Sequence, residues 1–200
     1  MFWDVGGVLL TNGWDTPARR AAAEKFHFDW QEHDARHQAL FPEYERGRLT
    51  LDEYLSETVF FQQRAFSPDE FKQFMNACSR ELPESRAIAD RLARSQNYLM
   101  AALNNEGREL NEFRIATFDL RRTLSLFFSS CYVGLRKPDP AIYRLALNVS
   151  QRRSSEGIFI DDRPENVEGA RQAGLNAIRF ESAPQLVGEL AKFGVEVPSA

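Results

Sequence analysis

MFWDVGGVLL, residues 1–10, is an apolar run broken by one carboxylate, Asp4, and by the pair Gly6-Gly7. A short apolar run that ends in Gly-Gly reads as a buried strand followed by a tight turn. A charge at that place is costly unless something compensates it. Asp4 at the end of a buried strand therefore demands partners from elsewhere in the chain. The strand is also short. Only Met1 to Trp3 precede the aspartate, whereas a strand commonly has about five or six residues, so a few further residues ahead of Met1 are expected.

Working outward, the pattern turns helical from about Trp14 to Glu84. PARRAAAEKF begins with Pro17 at a favoured first-turn position. Thr50 with Glu53, and Ser67 with Glu70, form expected capping boxes ahead of apolar helical stretches. From residue 85 the periodicity alternates. ESRAIADRLARS, EGRELNEFR, DPAIYRLALNVS, PENVEGARQAG and PQLVGELAKFG read as helices. NYLMAAL, LSLFFSS, EGIFI and LNAIRF read as strands between them. Strands alternating with helices imply right-handed crossovers and a parallel sheet. The expected fold is α/β: residues 1–13 and 85–200 form a doubly wound core, and residues 14–84 form a helical cap inserted after the first strand.

Composition narrows the function. With 43% hydrophobic and 27% charged residues the chain is ordinary for a globular domain. A net charge of −4, with arginines scattered among acidic neighbours, speaks against nucleic-acid and anionic-membrane partners. No run approaches about 18 apolar residues, so no transmembrane helix is expected, and no signal-peptide pattern opens the chain. Two cysteines, Cys78 and Cys131, lie far apart without a CxxC neighbour, which fits free thiols in a reducing cytoplasm. HDARH places His33 and His37 four apart. Its polar flanks and the lack of a third ligand make a solvated helix face the expectation rather than a zinc site. Phe60, Phe61, Phe66, Phe71 and Phe74 fit packing inside the cap, while Asn12 and Trp14 lie where the cap begins.

In a doubly wound sheet ligands bind beyond the carboxyl ends of the strands. Four strand ends carry polar groups: Asp4; Asn104-Asn105 after NYLMAAL; Lys137 in the loop after LSLFFSS; and Asp161-Asp162 after GIFI. Parallel topology brings them to one edge. Three carboxylates and one ammonium there call for a hard divalent cation such as Mg²⁺, which takes carboxylate, carbonyl and water oxygens and can also accept a phosphate oxygen.

These four stretches, in this order, resemble the motifs of the haloacid dehalogenase-like superfamily. GRLTLDEY, KPDPAIYRLAL and FIDDRPENVEGARQAG resemble the branch that includes the N-terminal phosphatase domain of soluble epoxide hydrolases. The resemblance implies a Rossmann-like core and roles residue by residue. Asp4 would be the nucleophile that forms an aspartyl-phosphate. Asp4, the Gly6 carbonyl, Asp161 and Asp162 would hold Mg²⁺, with Asp162 the firmer ligand. Lys137 would neutralise the nucleophile and the transferring group. Backbone N–H groups at Gly6 and Gly7, with Asn104 and Asn105, would bind the phosphoryl oxygens of a small phosphorylated metabolite. Two departures stand out. Gly6 occupies the place of the usual acid–base aspartate, and such assistance is worth about 10²–10⁴-fold, so turnover is expected to be slow. Asn104 stands where a Ser or Thr hydroxyl is usual. Two other readings stay open: 2-haloacid dehalogenation through the same aspartate, and a catalytically weak phosphate-binding or regulatory protein. The substrate and the oligomeric state are not set by the sequence.

Overall fold

The computed structural model describes residues 1–199. Five strands, β1 (Phe2–Trp3), β2 (Ala101–Ala102), β3 (Leu126–Phe127), β4 (Ile158–Asp161) and β5 (Asn176–Arg179), form one parallel sheet in the order β3-β2-β1-β4-β5. The chain moves outward from β1 to β3, then returns to the other side of β1. That reversal places a crevice between the carboxyl ends of β1 and β4, where open sheets of this kind bind ligands.

Alternation along the strands builds two cores. Trp3, Ala102, Ile158 and Ile160 face one side, packed with Ile88 and Leu92 of α5 (Pro83–Ser95) and Leu186 and Leu190 of α10 (Ala183–Lys192). Phe2, Ala101, Phe159 and Ala177 face the other, packed with Ile142 and Tyr143 of α8 (Pro140–Ser150) and Val167 and Ala170 of α9 (Pro164–Gln172). α6 (Arg108–Thr117) follows β2, and the single turn α7 (Ser130–Val133) follows β3. The sequence reading has no counterpart to α7, because one turn has no periodicity to detect. The inner strands are shorter than the apolar runs that contain them. The ladder of β2 and β3 ends where the pairing partners of β1 end, at Phe2↔Ala101 and Trp3↔Ala102.

α1 (Thr16–Phe26), α2 (Trp30–Glu45), α3 (Leu51–Thr58) and α4 (Pro68–Ala77) come between β1 and α5. Both expected capping boxes, at Thr50/Glu53 and Ser67/Glu70, are formed. The four helices share an aromatic cluster built on Trp14, Phe28, Tyr44, Tyr54 and Phe71, against which Phe60, Phe66 and Phe74 pack half-buried. Phe61 lies instead under the guanidinium of Arg36, 3.6 Å from its ring centre. The chain leaves and re-enters the sheet domain along two paired segments. Leu10 bridges Glu81, Leu82 N–H donates to the Leu9 carbonyl at 3.0 Å, and Thr11 N–H donates to the Arg80 carbonyl at 2.8 Å.

The HDARH helix departs from its expected solvated setting. His33 and His37 are 1% and 3% exposed. The His33 Nδ1 lies 3.1 Å from the Thr58 carbonyl, so this nitrogen carries a proton. Tyr54 Oη lies 2.7 Å from His37 Nδ1 and accepts from Trp14 Nε1 at 3.1 Å. Burial pushes the His37 imidazole down to about 3, which keeps it neutral at ordinary pH. The two histidines are core residues of the helical insertion. Among the described residues no helix is long and apolar enough to cross a membrane.

Candidate active site

Asp4 follows β1 directly, and its N–H donates to the Ile160 carbonyl of β4 at 2.8 Å. This ladder contact fixes the aspartate beside the end of β4, whose last residue is Asp161. The loop before α8 delivers Lys137 between them. Its Nζ lies 3.0 Å from Asp4 Oδ1 and 2.6 Å from Asp161 Oδ2, and the side chain is 1% exposed. Burial alone would lower the Lys137 ammonium, but the carboxylates of Asp161 and Asp4 overcome it and raise the group above its ordinary value. Burial pushes the Asp4 carboxyl up, Lys137 pulls it down, and Asp161 and Asp162 add to the rise. Lys137 is thus held charged inside a cluster of acids.

One oxygen each from Asp4, Asp161 and Asp162 lies within 4.8 Å of the others, the arrangement a single cation needs. The two adjacent aspartates differ. Asp161 is fully used: Arg163 N–H donates to its Oδ1 at 2.8 Å, Asn166 Nδ2 lies 3.1 Å from both oxygens, and Lys137 takes Oδ2. Asp162 Oδ1 is buried with no hydrogen-bond partner. An acceptor of that kind lacks the donor that buried polar groups require, and a cation satisfies it. Burial, and then the Asp161 charge, raise the Asp162 carboxyl. The donor set is oxygen throughout, which suits a hard ion such as Mg²⁺.

The glycine turn serves the cluster in a different way from the one expected. Val5 N–H donates to Asp4 Oδ1 at 2.8 Å, and Gly7 N–H donates to the Leu10 carbonyl at 2.7 Å. The Gly7 N–H is therefore engaged in the turn rather than presented to a phosphate. What Gly7 provides is room: its φ is 74°, and a Cβ there would fall 2.3 Å from Asp162 Oδ2. Only glycine allows both this backbone conformation and the close approach of that carboxylate.

The asparagine pair also differs from expectation. Asn104 is 2% exposed. Its Nδ2 donates to Asn111 Oδ1 at 3.0 Å and its Oδ1 accepts from Ser129 at 2.8 Å. The side chain expected to bind phosphate thus ties α6 to the segment before α7. Asn105 clamps the lysine loop from both sides: its Oδ1 accepts from Lys137 N–H at 2.9 Å and its Nδ2 donates to the Lys137 carbonyl at 2.9 Å. It positions Lys137 while still lining the cavity.

That cavity, about 60 Å³, is lined by Asp4, Gly6, Asn105 and Lys137, and on the side of the inserted helices by Asn12, Trp14, Asp15, Phe41 and Glu45. Glu106, Arg114, Arg163 and Asn166 complete it. Asn12 and Trp14 carried a positional signal in the sequence. Phe41 and Glu45 had only the spacing that puts them on one stripe of α2 with His37. Glu106 and Arg114 had none, because folding alone brings them to this edge. Glu45, the last residue of α2, reaches Arg136 at 2.5 Å, so the inserted helices touch the loop that carries Lys137.

A family model of haloacid dehalogenase-like hydrolases matches residues 1–174. The chain is 30% identical over 164 residues to flavin mononucleotide hydrolase 1 of Arabidopsis thaliana, covering 82% of this chain and 66% of that protein. It is 26% identical over 188 residues to bifunctional epoxide hydrolase 2 of Mus musculus, covering 82% of this chain and 33% of that one. The chain thus spans less than two thirds of the length of either relative. A HAD family enzyme of Bacteroides thetaiotaomicron, solved in complex with magnesium and inorganic phosphate, superposes with a TM-score of 0.77. The match covers 90% of this chain and 92% of that one at 19% identity, a likeness of fold.

Proposed function

The chain belongs to the haloacid dehalogenase-like hydrolases, and from that premise we propose that it is an Mg²⁺-dependent phosphatase of small phosphomonoesters, acting through an aspartyl-phosphate on Asp4. The observation that carries this reading is the convergence of Asp4, Asp162 and Lys137 on one point of the sheet edge, with one acid oxygen left without a partner. The relative named for flavin mononucleotide hydrolysis adds support for a phosphate ester as substrate. Residues 14–84 are read as the cap over this site, and residues 1–13 and 85–200 as the core. The free thiols of Cys78 and Cys131 fit a reducing cytoplasm.

Asp4, the Gly6 carbonyl and Asp162 would hold Mg²⁺, with Asp161 at its border. When bound, Mg²⁺ would supply charge neutralisation for the phosphoryl oxygens. The chain's own residues do the rest. Asp4 Oδ attacks phosphorus and the bond to the leaving oxygen breaks. Lys137, fixed by Asn105 and Asp161, offsets charge on the nucleophile and on the transferring group. Placement and charge compensation supply most of the acceleration in phosphoryl transfer. The cavity carries both signs of charge: Lys137, Arg114 and Arg163 line it together with Asp4, Asp15, Glu45 and Glu106.

The test is phosphate release from p-nitrophenyl phosphate and a panel of small phosphomonoesters, with Mg²⁺ and with EDTA. Release that requires Mg²⁺ and stops with EDTA is expected. Hydrolysis indifferent to EDTA, or halide release from 2-halo acids in its place, contradicts the proposal.

A further inference from the structure

Gly6 leaves the phosphatase without a side chain beside the nucleophile to protonate the leaving group. The structure shows what fills that space. A Cβ built on Gly6 would lie 3.1 Å from Asn12 Oδ1 and 3.7 Å from Arg114 Nη1. Arg114 Nη1 in turn donates to Glu106 Oε2, and Nη2 donates to the Thr11 carbonyl at the start of the inserted helices. Arg114 and Glu106 are 1% and 5% exposed, and both line the cavity with Asp4 and Lys137. The Glu106 backbone is held in turn, its N–H donating to Ser130 Oγ at 2.9 Å. A carboxyl group that lines the cavity is thus fixed by a guanidinium that borders, with Asn12, the place of the missing side chain.

We propose that Glu106, positioned by Arg114, is the general acid and base of this enzyme. The inference rests on the phosphatase reading above. In the first step Asp4 Oδ bonds to phosphorus, and the electron pair of the breaking P–O bond goes to the leaving oxygen. That oxygen takes the proton of the Glu106 carboxyl and departs as an alcohol. In the second step the Glu106 carboxylate takes a proton from water as the water oxygen attacks phosphorus. The bond to Asp4 breaks, inorganic phosphate leaves, and Glu106 is protonated again. The groups that face Glu106 set its readiness. Burial pushes its carboxyl up to about 7, the Arg114 guanidinium pulls down, and Glu45 pushes further up. Tyr44 and Cys131, both raised by burial, stay neutral beside it. A group near 7 suits proton transfer in both directions.

A purely structural ion pair would hold α6 to the start of the insertion and nothing more. Leaving groups separate the two roles, because p-nitrophenolate departs without a proton and an alkoxide does not. For Glu106→Gln, kcat on glycerol 2-phosphate is expected to fall by about 10²–10⁴-fold. The first turnover of p-nitrophenyl phosphate is expected to survive as a burst of one p-nitrophenol per enzyme, with phospho-enzyme accumulating. In the wild type, the rate on glycerol 2-phosphate is expected to fall as pH rises through about 7, and that limb is expected to be absent from the p-nitrophenyl burst. Glu106→Asp, which keeps the carboxylate for Arg114, is expected to retain the limb. Equal slowing of both first turnovers in Glu106→Gln, or unchanged rates, overturns the proposal. So does a wild type without the pH limb, a result that needs no variant. A wild type that releases no phosphate from either ester and forms no phospho-enzyme refutes the phosphatase reading itself, and this inference with it.

Discussion

Asp4→Asn is expected to abolish Mg²⁺-dependent phosphate release, by on the order of 10⁴-fold or more, the scale seen when a covalent nucleophile is removed. The replacement keeps the shape of the side chain and an oxygen for the Val5 N–H that now donates to Oδ1 at 2.8 Å. It removes the negative charge and the nucleophilic oxygen. Stability is expected to move the other way. Asp4 is one of three carboxyl groups in the cluster, and burial with Asp161 and Asp162 raises it. A neutral amide relieves that repulsion, while Lys137 keeps Asp161 at 2.6 Å. The thermal midpoint of metal-free Asp4→Asn should therefore equal or exceed that of the parent. Retained phosphate release would remove Asp4 from the mechanism. A large drop in melting temperature alone would mark it as a structural residue.

Lys137→Met carries the second large effect, and it falls on stability as well as on activity. The methionine fills much of the lysine volume but leaves Asp4 and Asp161 without the ammonium that now lies 3.0 and 2.6 Å from them. Breaking a buried ion pair by removing one partner costs about 3–5 kcal/mol. The pH dependence follows from linkage. The Asp4 carboxyl is already raised in the folded protein, and without Lys137 it rises further. An acid with a higher value folded than unfolded binds more protons in the folded state, so stability falls as pH rises. In EDTA the variant should lose least near pH 5 and most near pH 8, relative to the parent, in urea unfolding. Mg²⁺ at pH 8 should restore part of the loss by supplying another positive charge. A deficit equal at both pH values and unaffected by Mg²⁺ would mean that Lys137 acts by packing.

Much of this was legible in the sequence because the signals were local. Asp139 caps α8 and Pro140 opens it, the capping boxes close α3 and α4 at their starts, and each expected strand lies in the sheet. Parallel topology then sufficed to bring Asp4, Lys137, Asp161 and Asp162 to one edge. What escaped depended on side-chain partners. The stripe of α2 is carried by His33, His37, Phe41 and Tyr44 rather than by aliphatic residues, so a hydropathy pattern reads the buried face as polar. Asn104 and Asn105 are neighbours with opposite duties, one bonded to Asn111 and Ser129 and the other to Lys137, and only the geometry after β2 tells them apart. Gly7 reads as a phosphate-binding glycine, yet its lack of a side chain makes room for Asp162. Glu106 and Arg114 lie on a loop and a helix with no motif to mark them, and come to line one cavity with Gly6 only through the fold.

A crystal structure of the protein with Mg²⁺ and beryllium trifluoride, a mimic of the phosphoryl group, tests the central claim most directly. It should show beryllium bonded to an Asp4 carboxylate oxygen, one Mg²⁺ shared by Asp4 and Asp162, and Lys137 Nζ facing a fluoride. An unmodified Asp4, with the magnesium bound elsewhere and Asp162 Oδ1 still without a partner, would contradict it.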